Sequence, residues 1–280
     1  MHVPLIIITL TTGSLLGTYA GNFQTQYEWK YFDYVWPSAA KKSEAIRTGA
    51  YNHSMIMPID VDVAQDGRVF VTLLQLPGVP ARMGYVSTQK SPSGPLIQPY
   101  PNWEWFGNGD CDNSIEKVLR VEIDKCNRLW VLDTGSKKNP KRNCSAKLLA
   151  FDLNTDTLIS RVNFPDDIAR NPRTIESLMA TTVVETYGQN CEDTTKIVAR
   201  DPKRLQYATG MKVLSRPFLQ EEELWVITNR FPAFSQGHLN FKESNYFILR
   251  STVRDLIAGT RCELPLGITD YGITKLKAIY

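Results

Sequence analysis

The stretch Val121–Gly135, reading VEIDKCNRLWVLDTG, most limits what this chain can fold into. Val121 and Ile123 alternate with polar neighbours, the two-residue period of a half-buried strand, and Asp124 to Arg128 supply the polar residues of a tight turn. Leu129, Trp130, Val131 and Leu132 then form an unbroken apolar run, which predicts a strand covered on both faces by neighbouring sheets. Sixty positions earlier the design recurs: Val61, Asp62 and Val63, a turn at Gln65 to Gly67, then Arg68, Val69, Phe70 and Val71, so that Arg68 falls on Arg128 and Phe70 on Trp130. A third copy ends in Leu224, Trp225, Val226 and Ile227 and is entered from Met211, Lys212 and Val213. Recurrent hairpins with an aromatic in the same place predict an all-β fold of propeller blades or a related radial array, with Trp130 and its counterparts wedged between adjacent sheets.

Composition narrows the setting of that fold. At 280 residues the chain can bury the core of one large β domain, and no linker interrupts it, so residues 21–280 read as a single domain. The formal net charge is +3, from 32 basic and 29 acidic residues, which sets up no field to attract nucleic acid or an anionic membrane. The cluster Lys137, Lys138, Lys141 and Arg142 reads as a solvated loop. The N-terminus is apolar from Leu5 to Leu10 and reaches Thr18, Tyr19 and Ala20, a small-x-small cleavage pattern. Residues 1–20 are therefore expected to be a signal peptide, although no Lys or Arg stands at its front. Nothing later is long and apolar enough to span a bilayer, so a secreted, extracellular protein is expected.

Five cysteines, Cys111, Cys126, Cys144, Cys191 and Cys262, suit an oxidising compartment, and their odd number leaves one unpaired or linked to another chain. No C-x-x-C pair exists and histidines number three, so no zinc site, other metal or cofactor is expected. Two sequons, Asn52 with Ser54 and Asn143 with Ser145, are expected glycosylation sites.

Along the chain, the aromatic-rich segment Tyr27 to Pro37 reads as an opening strand whose rings pack between sheets, and Lys41 to Thr48 as a short helix or loop. Prolines at 77, 80, 95, 99 and 101 mark connections, and the YPNWEW segment, Tyr100 to Trp105, either plugs the end of the array or stacks a ligand ring. Leu148 to Arg161 reads as a further hairpin turning at Asn154, Thr155 and Asp156, which completes a four-stranded blade with the LWVLDTG strand. No G-x-S-x-G elbow, H-E-x-x-H pair, P-loop or G-x-G-x-x-G turn is present. His53 and His238 sit in polar, loop-like surroundings. Asp60, Asp62, Asp124 and Asp133 lie at strand margins and either converge on one end of the array or serve as turn and capping residues.

Together these phrases resemble the yellow and major royal jelly protein family of insects. The matching segments are WKYFDYVWP (Trp29 to Pro37), AIRTGAY (Ala45 to Tyr51), RVFVTLLQLPGVPARMGYV (Arg68 to Val86) and PLIQPYPNWEW (Pro95 to Trp105). They continue with IDKCNRLWVLDTG, KLLAFDLNTDTLI (from Lys147), NCEDTT (Asn190 to Thr195), GMKV (from Gly210), ELWVITNRFPAF (from Glu223) and LNF (from Leu239). The resemblance implies a secreted six-bladed β-propeller. It also implies an interruption: NCEDTT runs almost at once into IVARDPKRLQYATGMKV, so roughly two blades of chain are absent near Lys196. An incomplete propeller of this kind gives one account of the odd cysteine, with Cys262 as the residue whose partner is lost and Cys111, Cys126, Cys144 and Cys191 as the disulfide candidates.

Functionally the resemblance implies a choice. Yellow-type members are associated with cuticle pigmentation and melanin formation, some relatives are proposed to convert dopachrome, salivary relatives bind biogenic amines, and royal jelly members are nutritive. The expected function is a role in pigmentation through binding of a catecholamine-type or other small amine. The alternatives are a dopachrome-converting enzyme, a nutritive or structural secreted protein, and a shortened isoform without function. Resemblance to the amine-binding region of salivary relatives implies Thr228 and Asn240 as polar contacts, Phe241 as a packing face and Asn229 as a further contact; no catalytic residue is assigned.

Overall fold

Short polar turns between apolar strands let the backbone pair with itself locally, and the protein uses this three times. The computed structural model describes residues 23–107, 110–124, 126–139, 142–169, 201, 203–215 and 221–258, with Ile6–Ile7 and Lys196–Ile197 as a separate parallel pair. Otherwise the expected signal peptide, Cys191, Cys262 and the point of interruption lie outside the described residues.

The principal strands are β1 (Gln24–Trp29), β2 (Pro58–Val63), β3 (Val69–Leu73), β4 (Met83–Ser91), β5 (Gly94–Pro99), β6 (Val118–Ile123) and β7 (Arg128–Asp133). They continue with β8 (Lys147–Asp152), β9 (Thr157–Asn163), β10 (Tyr207–Leu214), β11 (Glu223–Asn229) and β12 (Tyr246–Thr252). They form three four-stranded sheets, in the orders β2-β3-β4-β5, β6-β7-β8-β9 and β10-β11-β12-β1, with every pairing antiparallel. The fold is all-β with a few short helices, among them α1 (Ala39–Arg47), which Ser38 caps by accepting from the Lys41 amide. No helix among the described residues is long and apolar enough to cross a membrane.

The sixty-residue repeat is structural. In the β2–β3 turn the Ala64 amide donates to Arg68 O at 2.8 Å, and in the β6–β7 turn Asp124 donates to Arg128 O at 3.0 Å. Each turn has a residue at positive φ in the same place, Gly67 at 87° and Asn127 at 59°. Glycine meets no Cβ penalty there, and asparagine is the side chain that best tolerates the left-handed region.

Each sheet also carries an aromatic on its second strand with an arginine over the ring: Arg68 on Phe70 at 5.5 Å, Arg128 on Trp130 at 5.3 Å and Arg250 on Trp225 at 5.9 Å. An acid orients each arginine, and where the ring is indole it accepts from Nε1 as well: Asp124 from Trp130 at 2.9 Å and Glu223 from Trp225 at 2.8 Å. Trp225 is buried against the β2–β5 sheet, in a core shared with Val61, Val71 and Tyr246. Phe70 is buried against the β6–β9 sheet with Leu129, Val131 and Phe151. Trp130 departs from the expectation. It is half-buried on the far side of its sheet, where no other four-stranded sheet among the described residues lies.

The opening aromatic segment does more than supply a strand. β1 is the fourth strand of the last sheet, pairing Trp29 with Tyr246 and Tyr27 with Ile248. Just after it the chain crosses to the first sheet, where Val35 donates to Ile97 O and Ile97 to Asp33 O, both at 2.9 Å. Trp29, Phe32 and Tyr34 fill the wedge between the two sheets. Trp103 of the YPNWEW segment stacks on Trp36 at 4.8 Å and donates to Val35 O.

Cys111 and Cys144 are bonded to each other, whereas Cys126, expected among the bridged cysteines, is an exposed free thiol in the β6–β7 turn. Asn52 is exposed, and its side-chain oxygen accepts from the Ser54 amide and hydroxyl; the Asn143 side chain lies outside the described residues.

Candidate functional site

The first strands of the three sheets, β2, β6 and β10, meet along a common line, with β2 packed against both of the others. Each is a sheet edge, and an edge strand carries amides and carbonyls that need partners. Side chains of neighbouring sheets supply them. Asp60 accepts from the Val121 amide at 3.2 Å and Asp62 from the Ile123 amide at 2.9 Å. Lys212 donates to Val121 O at 2.8 Å and pairs with Glu122. Thr209 and Asn229 donate to Pro58 O at 3.2 and 3.1 Å, and Thr72 donates to Leu119 O at 2.7 Å.

This line concentrates charge in a dry place. Asp60 and Asp62 are 0% and 2% exposed, and Lys212 and Arg120 approach them at 3.8 Å each, Lys212 at Asp62 and Arg120 at Asp60. Burial raises the Asp62 carboxyl to about 7 against the opposing pull of Lys212, and raises Asp60 as well. For Lys212, burial alone would lower the pKa, but Asp62, Asp60 and Glu122 outweigh it and hold the ammonium charged. Asp60 Oδ1 has no hydrogen-bond partner. It faces Gly210 of β10, where a Cβ would stand 2.6 Å from it, so only glycine lets β10 lie this close.

Rings gather at the end of the array where the first strands begin. Asn229 closes β11, accepts from the Phe231 amide at 2.9 Å and donates to Thr209 at 3.2 Å. Phe231 is 37% exposed and stacks on Tyr207, the first residue of β10, with centroids 5.3 Å apart. In the loop that follows, Phe241 meets the His53 ring at 4.9 Å edge-on, and His53 meets Tyr31 at 4.4 Å. Burial lowers the His53 pKa, with Asp33 opposing, so the imidazole in this trio favours its neutral form.

The four ligand residues implied by resemblance are thus distributed. Asn229 sits beside the line of first strands. Thr228, one residue earlier on the opposite face, is fully buried and donates to Arg204 O at 2.5 Å. Phe241 joins Tyr31 and His53, and Asn240 is exposed, its side chain accepting from the Lys242 amide at 3.1 Å. Of the four aspartates at strand margins, Asp60 and Asp62 converge on the line, whereas Asp124 serves the β6–β7 turn and Asp133 stands at the other end of β7. Sequence reading did not anticipate Arg120, Glu122 or Phe231 at this site. A signal did exist: Asp60 and Asp62 share one face of a strand whose other face, Val61 and Val63, is apolar.

Comparison with known proteins agrees with the residue phrases. The family profile described as "Major royal jelly protein" matches residues 117–195 and 192–262, two pieces that overlap beside Lys196. Major royal jelly protein 9 of Apis mellifera is 40% identical over 171 residues, 61% of this chain and 40% of the relative. Major royal jelly protein 1 of the same species is 36% identical over 200 residues, 71% of this chain and 46% of the relative. The chain thus spans under half the length of these relatives. With the profile covering more than half of its residues, the chain belongs to the major royal jelly protein family.

Proposed function

We propose that this chain is a secreted binding protein whose three sheets are blades of a six-bladed β-propeller, and that it takes a small aromatic amine or catechol of pigment chemistry where the first strands begin. The observation that carries the reading is the charge at the line of first strands: carboxylates of Asp60, Asp62 and Glu122 against the two cations Arg120 and Lys212, with Asp60 Oδ1 buried, 3.8 Å from Arg120 and without a hydrogen bond. An ammonium is the group such an excess of carboxylate attracts. Phe231 and Tyr207 offer a ring face at the same end, with Asn229 between them and Asp60's strand.

Calorimetry with dopamine and serotonin on the secreted protein tests this. Micromolar binding is expected, weakened more than tenfold by Asp60→Asn, which removes a charged partner worth about 1.5–3 kcal/mol. Phe231→Ala should weaken it about fivefold, the loss of one ring contact of about 1 kcal/mol. Flat titrations with both amines reject the reading. Conversion of dopachrome is the second reading, favoured by one observation, a carboxyl at Asp62 poised near neutrality as an acid–base group requires. Both oxygens of Asp62 already accept backbone amides, at Val63 and Ile123, which leaves that carboxyl a structural part. Decolourisation of dopachrome no faster than by heat-killed protein rejects it.

A further inference from the structure

The fold treats the two sequons of this chain differently: one is an open surface turn, the other part of a bonded hairpin. Asn52 is exposed and caps the single turn His53–Met55 from an extended backbone, φ −137° and ψ 106°. Its side-chain oxygen accepts from the Ser54 amide at 3.1 Å and from the Ser54 hydroxyl at 2.7 Å, so the asparagine and the hydroxyl of the sequon already meet. Nδ2, the atom to which a sugar is joined, makes no hydrogen bond to the described residues. The backbone beneath is pinned: the Asn52 amide donates to Gly78 O at 2.9 Å and the Met55 amide to Asn52 O at 3.0 Å. A fixed turn with its asparagine in water can carry a bulky polar group without disturbing the core.

The second sequon, Asn143 to Ser145, is built the other way. Its central residue, Cys144, is 0% exposed and bonded to Cys111. The short strand Arg142–Cys144 pairs antiparallel with Ser136–Asn139, with Cys144 opposite Ser136. Gly135 lies against the same backbone, where a Cβ would stand 2.3 Å from Cys144 O and 2.8 Å from Ser145 O. Disulfide, strand pairing and close approach all hold the middle of this sequon. An enzyme that must draw the sequon into its own active site needs that backbone unpaired.

We propose that Asn52 carries an N-linked glycan and that Asn143 stays bare because the Cys111–Cys144 bond closes its sequon. The inference rests on the secretion read for this chain, since sequons of this kind are used in the secretory pathway. The sugar donor is a lipid-diphosphate-linked oligosaccharide. Asn52 Nδ2 loses one proton to solvent and forms a bond to C1 of the first sugar, while the bond from C1 to the diphosphate oxygen breaks and the lipid diphosphate leaves with the electron pair. The glycan is then rooted one residue before His53, whose ring lies between Tyr31 and Phe241.

The test uses the full chain, with its own N-terminus, expressed in insect cells and recovered from both medium and lysate. A peptide N-glycosidase in heavy-oxygen water marks each asparagine that carried a glycan, and mass spectrometry reads the peptides. Label is expected at position 52 and not at 143. Ser54→Ala should abolish the label and the mass of the glycan, whereas Ser54→Thr, which keeps the sequon, should retain both. Cys111→Ser and, separately, Cys144→Ser, which also keeps its sequon, should each bring label to Asn143; reading the lysate reports on either variant if the cell holds it back. A secreted chain without label at 52 overturns the proposal. So does label at 143 in the parent, or both cysteine variants bare at that position. A parent chain confined to the lysate and bare at both positions removes the secretion reading together with the proposal, whereas a secreted bare chain removes the proposal alone.

Discussion

Lys147 Nζ donates to Asp133 Oδ2 at 2.9 Å, with the two side chains 2% and 0% exposed. The pair ties β8 to the end of β7, and the remaining acceptor sites of Asp133 are filled by the amides of Glu116, Lys117 and Gly135, each at 2.9 Å. One carboxylate thus fixes the entry to β6, the exit from β7 and the start of β8. A dry ion pair of this kind is unforgiving of the loss of one partner, since the other charge is left uncompensated. Lys147→Ala is expected to lower unfolding free energy by about 3–5 kcal/mol in urea titrations. A loss under about 1 kcal/mol, the value of an exposed pair, would show that water reaches Asp133.

Stability should carry a pH signature from Asp62. Its folded pKa, about 7, lies above the ordinary 3.8, so the folded state binds the extra proton. The favourable contribution of the protonated carboxyl is full below pH 4 and is lost as pH rises through 7. Lys212, whose pKa is raised, acts in the opposite region, above its ordinary 10.5, and does not interfere. Asp62→Asn should therefore gain stability relative to the parent on going from pH 4 to pH 8. Melting curves whose difference stays constant across that range would contradict the burial of this carboxyl.

Gly210 is the point where β10 touches Asp60. A Cβ there would fall 2.6 Å from Asp60 Oδ1, 2.7 Å from its Cα and 2.9 Å from Ile59 O, and two of those three are backbone that cannot swing aside. Gly210→Ala should separate the two strands and cost about 1–3 kcal/mol. Faster exchange at the Val121 amide, which Asp60 caps, would accompany it; a variant as stable as the parent would mean that the strands do not lie this close.

The Cys111–Cys144 bond closes a loop of 33 residues. Restricting such a loop in the unfolded chain stabilises by about 2–4 kcal/mol. The double variant Cys111→Ser with Cys144→Ser is expected to melt lower accordingly, whereas Cys126→Ser, changing an exposed free thiol, should leave the midpoint within a degree or so. An equal effect from both would place Cys126 in a bond.

Local chemistry was legible along this chain. Alternation at Val61, Val63, Val121 and Ile123, acids at the turns and the aligned Phe70 and Trp130 specify hairpins because strand period and turn geometry depend on residues a few positions apart. The Lys41–Thr48 segment was ambiguous for the same reason: a helix of nine residues with one buried side chain leaves a weak pattern.

What the sequence by itself determined, then, is the hairpin, its turn and the ring placed on its second strand. Only the tertiary structure decided that Gln24–Trp29 completes the sheet of Tyr246–Thr252, that Asp60 and Asp62 cap the amides of a neighbouring strand, and that Lys147 is buried with Asp133. Each of these joins groups brought together by sheets packing on sheets. A buried lysine or a capping aspartate reads the same in sequence as a solvated one, because its free energy depends on how much water its neighbours exclude, and those neighbours are chosen by the fold.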